Sequence, residues 1–319
     1  MSSSEGRSER IREFLGSGCR MMDEKRNPLD LGEDYRKVLN RHGYAFQYSL
    51  IRFIENANIQ SQPEWVLEAT EYPVRVQDMQ TRIDFVLRKR MPVVYLIAEC
   101  KRVNLAFANW CFARSDFAQR PSAPDKVIFQ SAWVAPLSTS LVNVKPLDST
   151  KRMLTGVIAT EVAPVYRVGL QVKSNQVGDK DGKNTDAIED AAGQVCKGLN
   201  GLIEFFKSQR ERLPQGEKLY FLPVIFTTAK LWTTDVDLAL AGIDKGEFES
   251  GAVTLKESSW IWYQYNLSPA LKHTLPTDGE NSRDPFDLSS TLEQEFSRSI
   301  AIVSVKGVKD FLHHGFPFR

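Results

Sequence analysis

The chain is expected to fold as an α/β (α+β) protein, a mixed central sheet flanked by helices. Three observations lead there. Helical periodicity over 30–57 gives way to three consecutive strand patterns at 65–70, 83–87 and 93–98. A long amphipathic stretch follows over 186–206. Apolar, strand-like runs then return at 219–228, 260–265 and 300–305.

Taken in order, residues 1–28 are polar and are expected to be partly disordered, or a loosely held helix around 8–15. Within 30–57, Leu31, Tyr35, Val38 and Leu39 form one apolar stripe. Gly43 breaks it, and Phe46, Leu50, Phe53 and Ile54 form a second. Arg88-Lys89-Arg90-Met91-Pro92 reads as the turn between the second and third strands. The nearly unbroken apolar run 93–98 predicts a central strand covered on both faces. Between 104 and 180, Trp110, Phe112, Phe117, Phe129 and Trp133 supply aromatics, and 157–159 and 166–172 read as strands. Asn184 and Thr185 offer caps for the helix over 186–206, whose stripe includes Ile188, Ala192, Val195, Leu199, Leu202 and Phe206. Pro223 places 219–228 at an edge or a bulge. Residues 274–285 read as a polar loop, and 308–313 as a last helix.

Composition narrows the function. The 319 residues are 42% hydrophobic with a formal net charge of +1, enough for a sizeable core but without a global basic field. A nucleic-acid partner would have to be held by local patches. No apolar run approaches the ~20 residues that span a bilayer, so a soluble, cytoplasmic protein with no membrane partner is expected. The four cysteines, Cys19, Cys100, Cys111 and Cys196, show no paired spacing and read as reduced thiols. Only four histidines, His42, His273, His313 and His314, leave little material for a zinc hydrolase or a Ser-His-Asp triad. The glycine- and charge-rich stretch 178–183 lacks the spacing of a phosphate loop.

The chemistry concentrates at Ile83-Asp84 and Ala98-Glu99-Cys100-Lys101. Strand side chains alternate faces, so Glu99 and Lys101 project together and Cys100 away from them. If the two strands pair through the 88–92 turn, Asp84 comes level with Glu99. Two carboxylates there suit Mg²⁺ or Mn²⁺, hard ions that prefer oxygen ligands, and the backbone carbonyl of Cys100 could add a third. Lys101 would orient the attacking water or stabilise charge developing on a phosphodiester. The alternative is a plain Glu99–Lys101 ion pair at an exposed strand end. Against it, an apolar run that ends in an acid and a base would bury charge at a cost unless that charge is used.

This arrangement, Ile83-Asp84 followed by Ala98-Glu99-Cys100-Lys101-Arg102, resembles the PD-(D/E)xK nuclease superfamily, with Ile83 where the family name has proline. The resemblance implies a restriction-endonuclease-like fold over roughly 29–230, with the long stretch at about 104–180 as an insertion and 231–319 as a C-terminal extension packed on the core. It implies a metal-dependent nuclease, DNA favoured, of the kind that serves defence or restriction, acting as a homodimer or with a partner protein. It also implies two further site residues. A glutamate of the first helix commonly joins the metal shell; Glu55 occupies that position and Glu33 competes. A glutamine of the following helix approaches the site; Gln194, in Ala191-Ala192-Gly193-Gln194, matches it, with Lys197 on the same surface. Leu170-Gln171-Val172-Lys173 has similar spacing but no aspartate strand before it, and reads as strand packing.

For the substrate, Arg75, Arg82, Arg88, Lys89, Arg90 and Arg102 gather around the motif and would contact phosphates if they lie on one edge of the sheet. Trp110 and Phe112 could stack bases, although aromatics in apolar context more often fill cores. A non-catalytic nucleic-acid-binding or assembly module of the same fold, and an RNA-directed nuclease, stand as alternatives.

Overall fold

The computed structural model describes residues 28–59, 64–76, 79–114, 125–135, 152–161, 164–172, 187–238, 246–268 and 296–316, with 241, 242, 244 and 271. The N-terminal segment before residue 28, the 274–285 loop, the 178–183 stretch, Lys173 and the caps Asn184 and Thr185 lie outside these residues.

The chain divides into two units, Met1–Tyr44 and Ala45–Arg319. In the first, helix α1 (Pro28–Arg41) begins at a proline and carries Asp30 in its first turn and Arg41 in its last, each suited to the helix dipole. Gly43 ends it with φ 77°, a conformation open to glycine at little cost. Its apolar residues Leu31, Tyr35 and Val38 are exposed.

The second unit is a mixed α/β structure. Helix α2 (Tyr44–Ile59) leads into strands β1 (Trp65–Val76), β2 (Met79–Lys89) and β3 (Val93–Lys101). Then come β4 (Asn109–Ala113), β5 (Lys126–Ala135), β6 (Arg152–Glu161), β7 (Val165–Tyr166) and β8 (Val168–Val172). Helix α3 (Ala187–Ser208) precedes β9 (Lys218–Thr227), β10 (Lys230–Thr234), β11 (Lys256–Ser258), β12 (Trp260–Asn266), β13 (Ser297–Ser304) and helix α4 (Val308–His314). The main sheet runs β1-β2-β3-β9-β13-β12-β7, with β5 also on β9 and β6 on β5; a second sheet runs β11-β10-β4-β8.

Residues 104–180 are therefore woven into both sheets, and β13, from the C-terminal segment, lies between β9 and β12 at the centre of the main sheet. Pro223 sits in that centre too, beside Ile97 of β3, where an edge or bulge was expected. The reason is a change of neighbour. One edge of β9 pairs with β5 up to Phe221 and with β13 from Val224. Thr228 donates its N–H to Lys101 on the β3 side, so counting back by twos the nitrogen of Pro223 faces the other edge, at that gap. No ladder bond is lost there.

The sheet is covered on both faces, as the apolar runs require. Leu50, Ile51 and Ile54 of α2 and Val308 and Phe311 of α4 pack with Phe85, Leu96 and Phe226 on one face. Ile188, Val195, Leu199 and Ile203 of α3 pack with Ile83, Ile97 and Ile225 on the other, joined by Trp110 and Phe112 of the second sheet. Each such side chain contributes about 1.5–3 kcal/mol of burial. The two aromatics are core, not base-stacking platforms. Phe53, expected in the stripe of α2, is exposed, and the buried stripe is Gln47, Leu50, Ile51 and Ile54. Close approach of α3 depends on Gly198 and Gly201. A Cβ on Gly201 would lie 2.5 Å from Cβ of Val74, and one on Gly198 would lie 2.9 Å from Ile83.

Candidate functional site

The site forms where β2 parts from β3. Their ladder ends at the Phe85–Ala98 rung, whereas β1 and β2 stay paired to the Val76–Met79 rung. One residue beyond the Phe85–Ala98 rung on each strand come Asp84 and Glu99, near enough that the charge of Asp84 acts on Glu99. There the Asp84 carboxylate takes over from the ladder: Oδ2 accepts the backbone N–H of Cys100 at 2.6 Å.

The alternation of side chains breaks at the same point. Phe85 stacks on Phe226, on the α2 and α4 face, with centroids 5.7 Å apart. Ile83, two residues away, should share that face but lies against Gly198 of α3. The partner strand turns with it. Glu71, between Thr70 (opposite Phe85) and Tyr72 (opposite Ile83), has φ 49°, rare for a non-glycine residue. Beyond this joint β1 and β2 continue as a two-stranded ribbon.

Glu99 and Lys101 follow Ile97 onto the α3 face. Lys101 Nζ lies 3.0 Å from Glu99 Oε1 and donates to Gln194 Oε1 of α3 at 2.5 Å. The end of β3 is pinned, since the Lys101 carbonyl accepts from Thr228 N–H at 3.2 Å and Thr228 Oγ1 accepts from Val103 N–H at 3.0 Å. The N–H and C=O of one strand residue point the same way, so the carbonyl of Cys100 lies on the Asp84 side. The Cys100 side chain packs on the opposite face against the α2 cluster.

Burial raises both carboxyls. Asp84 is raised first by desolvation and further by the charge of Glu71, against the Cys100 N–H and Lys101. Glu99, buried beside it, is pushed up to about 7 by desolvation and then by the Asp84 charge, with Lys101 opposing. Desolvation also raises the Cys100 thiol well above its usual value, which keeps it an uncharged packing group.

Two residues of the site escape sequence reasoning. Gln47 of α2, buried at 4% exposure, donates Nε2 to Glu71 Oε1 at 2.6 Å and to the Asp84 carbonyl at 2.9 Å. Its signal was a polar residue at an i, i+3, i+4, i+7 position of an apolar stripe. Glu71 carried no signal before the hairpin register was known. Its other oxygen accepts from Arg82 Nη1 at 2.9 Å.

The structure thus brings Asp84, Glu99, Lys101, Gln194 and the Cys100 backbone together, and does not bring Glu55. Glu55 is exposed, and Gln47, about 12 Å earlier along the helix, is the α2 residue that reaches the site. Glu33 pairs with Arg36 on its own helix at 2.5 Å. Lys197 is half-buried one turn beyond Gln194, and Arg102 is exposed just past β3. Arg88, Lys89 and Arg90 are not at the site. They lie about 13 Å or more along β2 from Asp84. Arg88 pairs with Glu68 at 2.5 Å, Lys89 pairs with Glu64, and Arg90 lies in the following turn. Gln171 belongs to β8 of the second sheet, opposite Trp110.

No group of three or more His, Cys, Asp or Glu side chains is close enough to hold a metal ion among the described residues. The acceptors that could share one are the Asp84 and Glu99 carboxylates and the Cys100 carbonyl. A buried Glu99 whose proton affinity is raised by the charge of Asp84, and a half-buried Asp84 raised in turn by Glu71, with Lys101 the cation acting on both, form a donor set whose excess negative charge suits a hard divalent cation. No helix among the described residues is long and apolar enough to cross a membrane. No family model matches the chain, and no curated protein or solved structure is significantly similar to it.

Proposed function

We propose that this chain is a metal-dependent nuclease of restriction-endonuclease-like fold that hydrolyses phosphodiester bonds, with DNA as the favoured substrate. The observation that carries the proposal is the gathering of Asp84 and Glu99 at the parting of two strands, Asp84 on the Cys100 N–H and Lys101 held between Glu99 and Gln194. Asp84, Glu99 and the carbonyl of Cys100 would hold Mg²⁺ or Mn²⁺, which supplies Lewis-acid activation of water and of the phosphoryl group. The residues of the chain do the rest. Gln194 fixes the Lys101 ammonium, which orients the attacking water and stabilises charge developing on phosphorus-bound oxygen. Cleavage of both strands of a duplex calls for two such sites, which a homodimer would provide.

The test is cleavage of plasmid DNA, with RNA in parallel, by the protein and by Asp84→Ala and Lys101→Ala, with Mg²⁺ or with a chelator. The expected result is cation-dependent cleavage of DNA that both substitutions abolish. Equal cleavage by all three proteins removes the site assignment, and metal-independent binding without turnover makes the chain a binding module. A second readout is independent of turnover: Mn²⁺ should raise the melting temperature of the unsubstituted protein and not that of Asp84→Ala.

A further inference from the structure

The β1–β2 ribbon beyond the site is two-faced. Val74, Val76 and Ile83 are buried, with Val74 and Ile83 under α3, while Pro73, Arg75, Gln80 and Arg82 face solvent. The exposed residues are paired across the strands, Pro73 with Arg82 and Arg75 with Gln80, so they form two successive rungs on one face. Rungs two residues apart are spaced about 7 Å. The first of them begins two residues from Asp84. A groove of about 590 Å³ runs along this part of the ribbon, lined by Pro73, Val74, Arg75, Gln80, Thr81 and Arg82. Its charged lining is two arginines and no carboxylate.

From this geometry we infer that the outer face of the ribbon is the track for the phosphodiester backbone flanking the scissile phosphate, with Arg82 taking the nearer phosphate and Arg75 the next. The inference rests on the nuclease reading and supplies what that reading lacks, a place for the substrate strand. It explains why the alternation reverses at Glu71 and Asp84. With regular alternation the arginines would point into the packing of α3; the reversal turns them to solvent within reach of a strand whose reacting phosphate sits at Asp84 and Glu99. Arg82 is held at the mouth of the site by Glu71 and is still 58% exposed, so it is positioned before substrate arrives. A guanidinium suits phosphate because its fork of donors matches the oxygens. Side-chain contacts of this kind read no bases, so the track gives affinity without sequence preference.

The test is the affinity of the full-length protein for a labelled DNA oligonucleotide in chelator, as a function of salt, for Arg75→Ala, Arg75→Lys and, as a control on the exposed face of α4, Lys309→Ala. Arg75→Ala should weaken binding about 3- to 10-fold and lower the salt slope by about 1, Arg75→Lys should recover most of the affinity, and Lys309→Ala should change neither. Arg75 is exposed, so its loss should leave the melting temperature unaltered. Unchanged affinity and slope in Arg75→Ala, with cleavage by the parent protein intact, overturns the track alone. A parent protein that neither binds nor cleaves nucleic acid overturns the nuclease reading with it.

Discussion

The two ends of strand β2 use the same kinds of residue to opposite effect. Toward the β2–β3 turn, Arg88 meets Glu68 and Lys89 meets Glu64 across the strands, one cation to one anion. Such pairs on a partly exposed surface are worth little and leave nothing to react. At the other end, Glu71, Asp84 and Glu99 lie on three adjacent strands, with Lys101 paired to Glu99 and Arg82 to Glu71. There burial and neighbouring negative charge raise the carboxyls of Asp84 and Glu99. Neutralised charge marks a scaffold, whereas crowded and partly desolvated charge marks a place where a ligand would relieve the strain.

Four substitutions sharpen the contrast. The largest effect is expected at Lys101→Ala, which should lower the cleavage rate by about 10²- to 10⁴-fold while leaving the protein folded. Next is Glu99→Gln, whose two effects should run in opposite directions. The Glu99 carboxyl moves from an ordinary 4.5 to about 7 on folding, so the native state holds its proton more tightly than the unfolded state. Stability therefore falls as pH rises from about 4.5 through 7, and the loss is complete above that. Removing the charge should then stabilise the protein by about 1–3 kcal/mol near pH 8, while cleavage is lost; a lower melting temperature than the parent at that pH would contradict the crowding argument.

Smaller effects concern the frame. Gly201→Ala places a Cβ 2.5 Å from that of Val74 and should cost about 1–3 kcal/mol by urea unfolding, because the backbone of α3 must back away from the ribbon. Smallest is Arg88→Ala at the paired end, expected to cost less than about 1 kcal/mol and to leave the Mn²⁺-dependent melting shift as it was. A change in that shift would mean that the two ends of β2 are coupled.

Several of these residues were legible before any fold was known. An apolar run that ends in Glu99 and Lys101, with Asp84 one hairpin earlier, needs only the two-residue period of a strand to bring the groups together. The stripe of α3 follows from the 3.6-residue period, whereas Gln194, exposed beside that stripe, is singled out only by the family resemblance. In α2, hydrophobicity alone favours Phe53 over Gln47 for the buried face, because an aromatic outranks an amide on any hydrophobicity pattern, whereas the structure buries Gln47 and exposes Phe53. The rule for proline concerns lost ladder bonds and points Pro223 to an edge or a bulge, and no local pattern foretells a strand that changes neighbours midway.

Local sequence determined the alternating strands, the helix stripes and the chemical kit of two acids and an amine, because these depend on periodicities of two and 3.6 residues that short stretches carry by themselves. Tertiary structure alone decided the rest. The placing of β13 beside β9, the turning over of the ribbon at Glu71 and Asp84, the recruitment of Gln47, and the split between paired and crowded charge along β2 all depend on which distant segments become neighbours. Register and burial, which convert ordinary carboxyls into a site, are properties of those contacts.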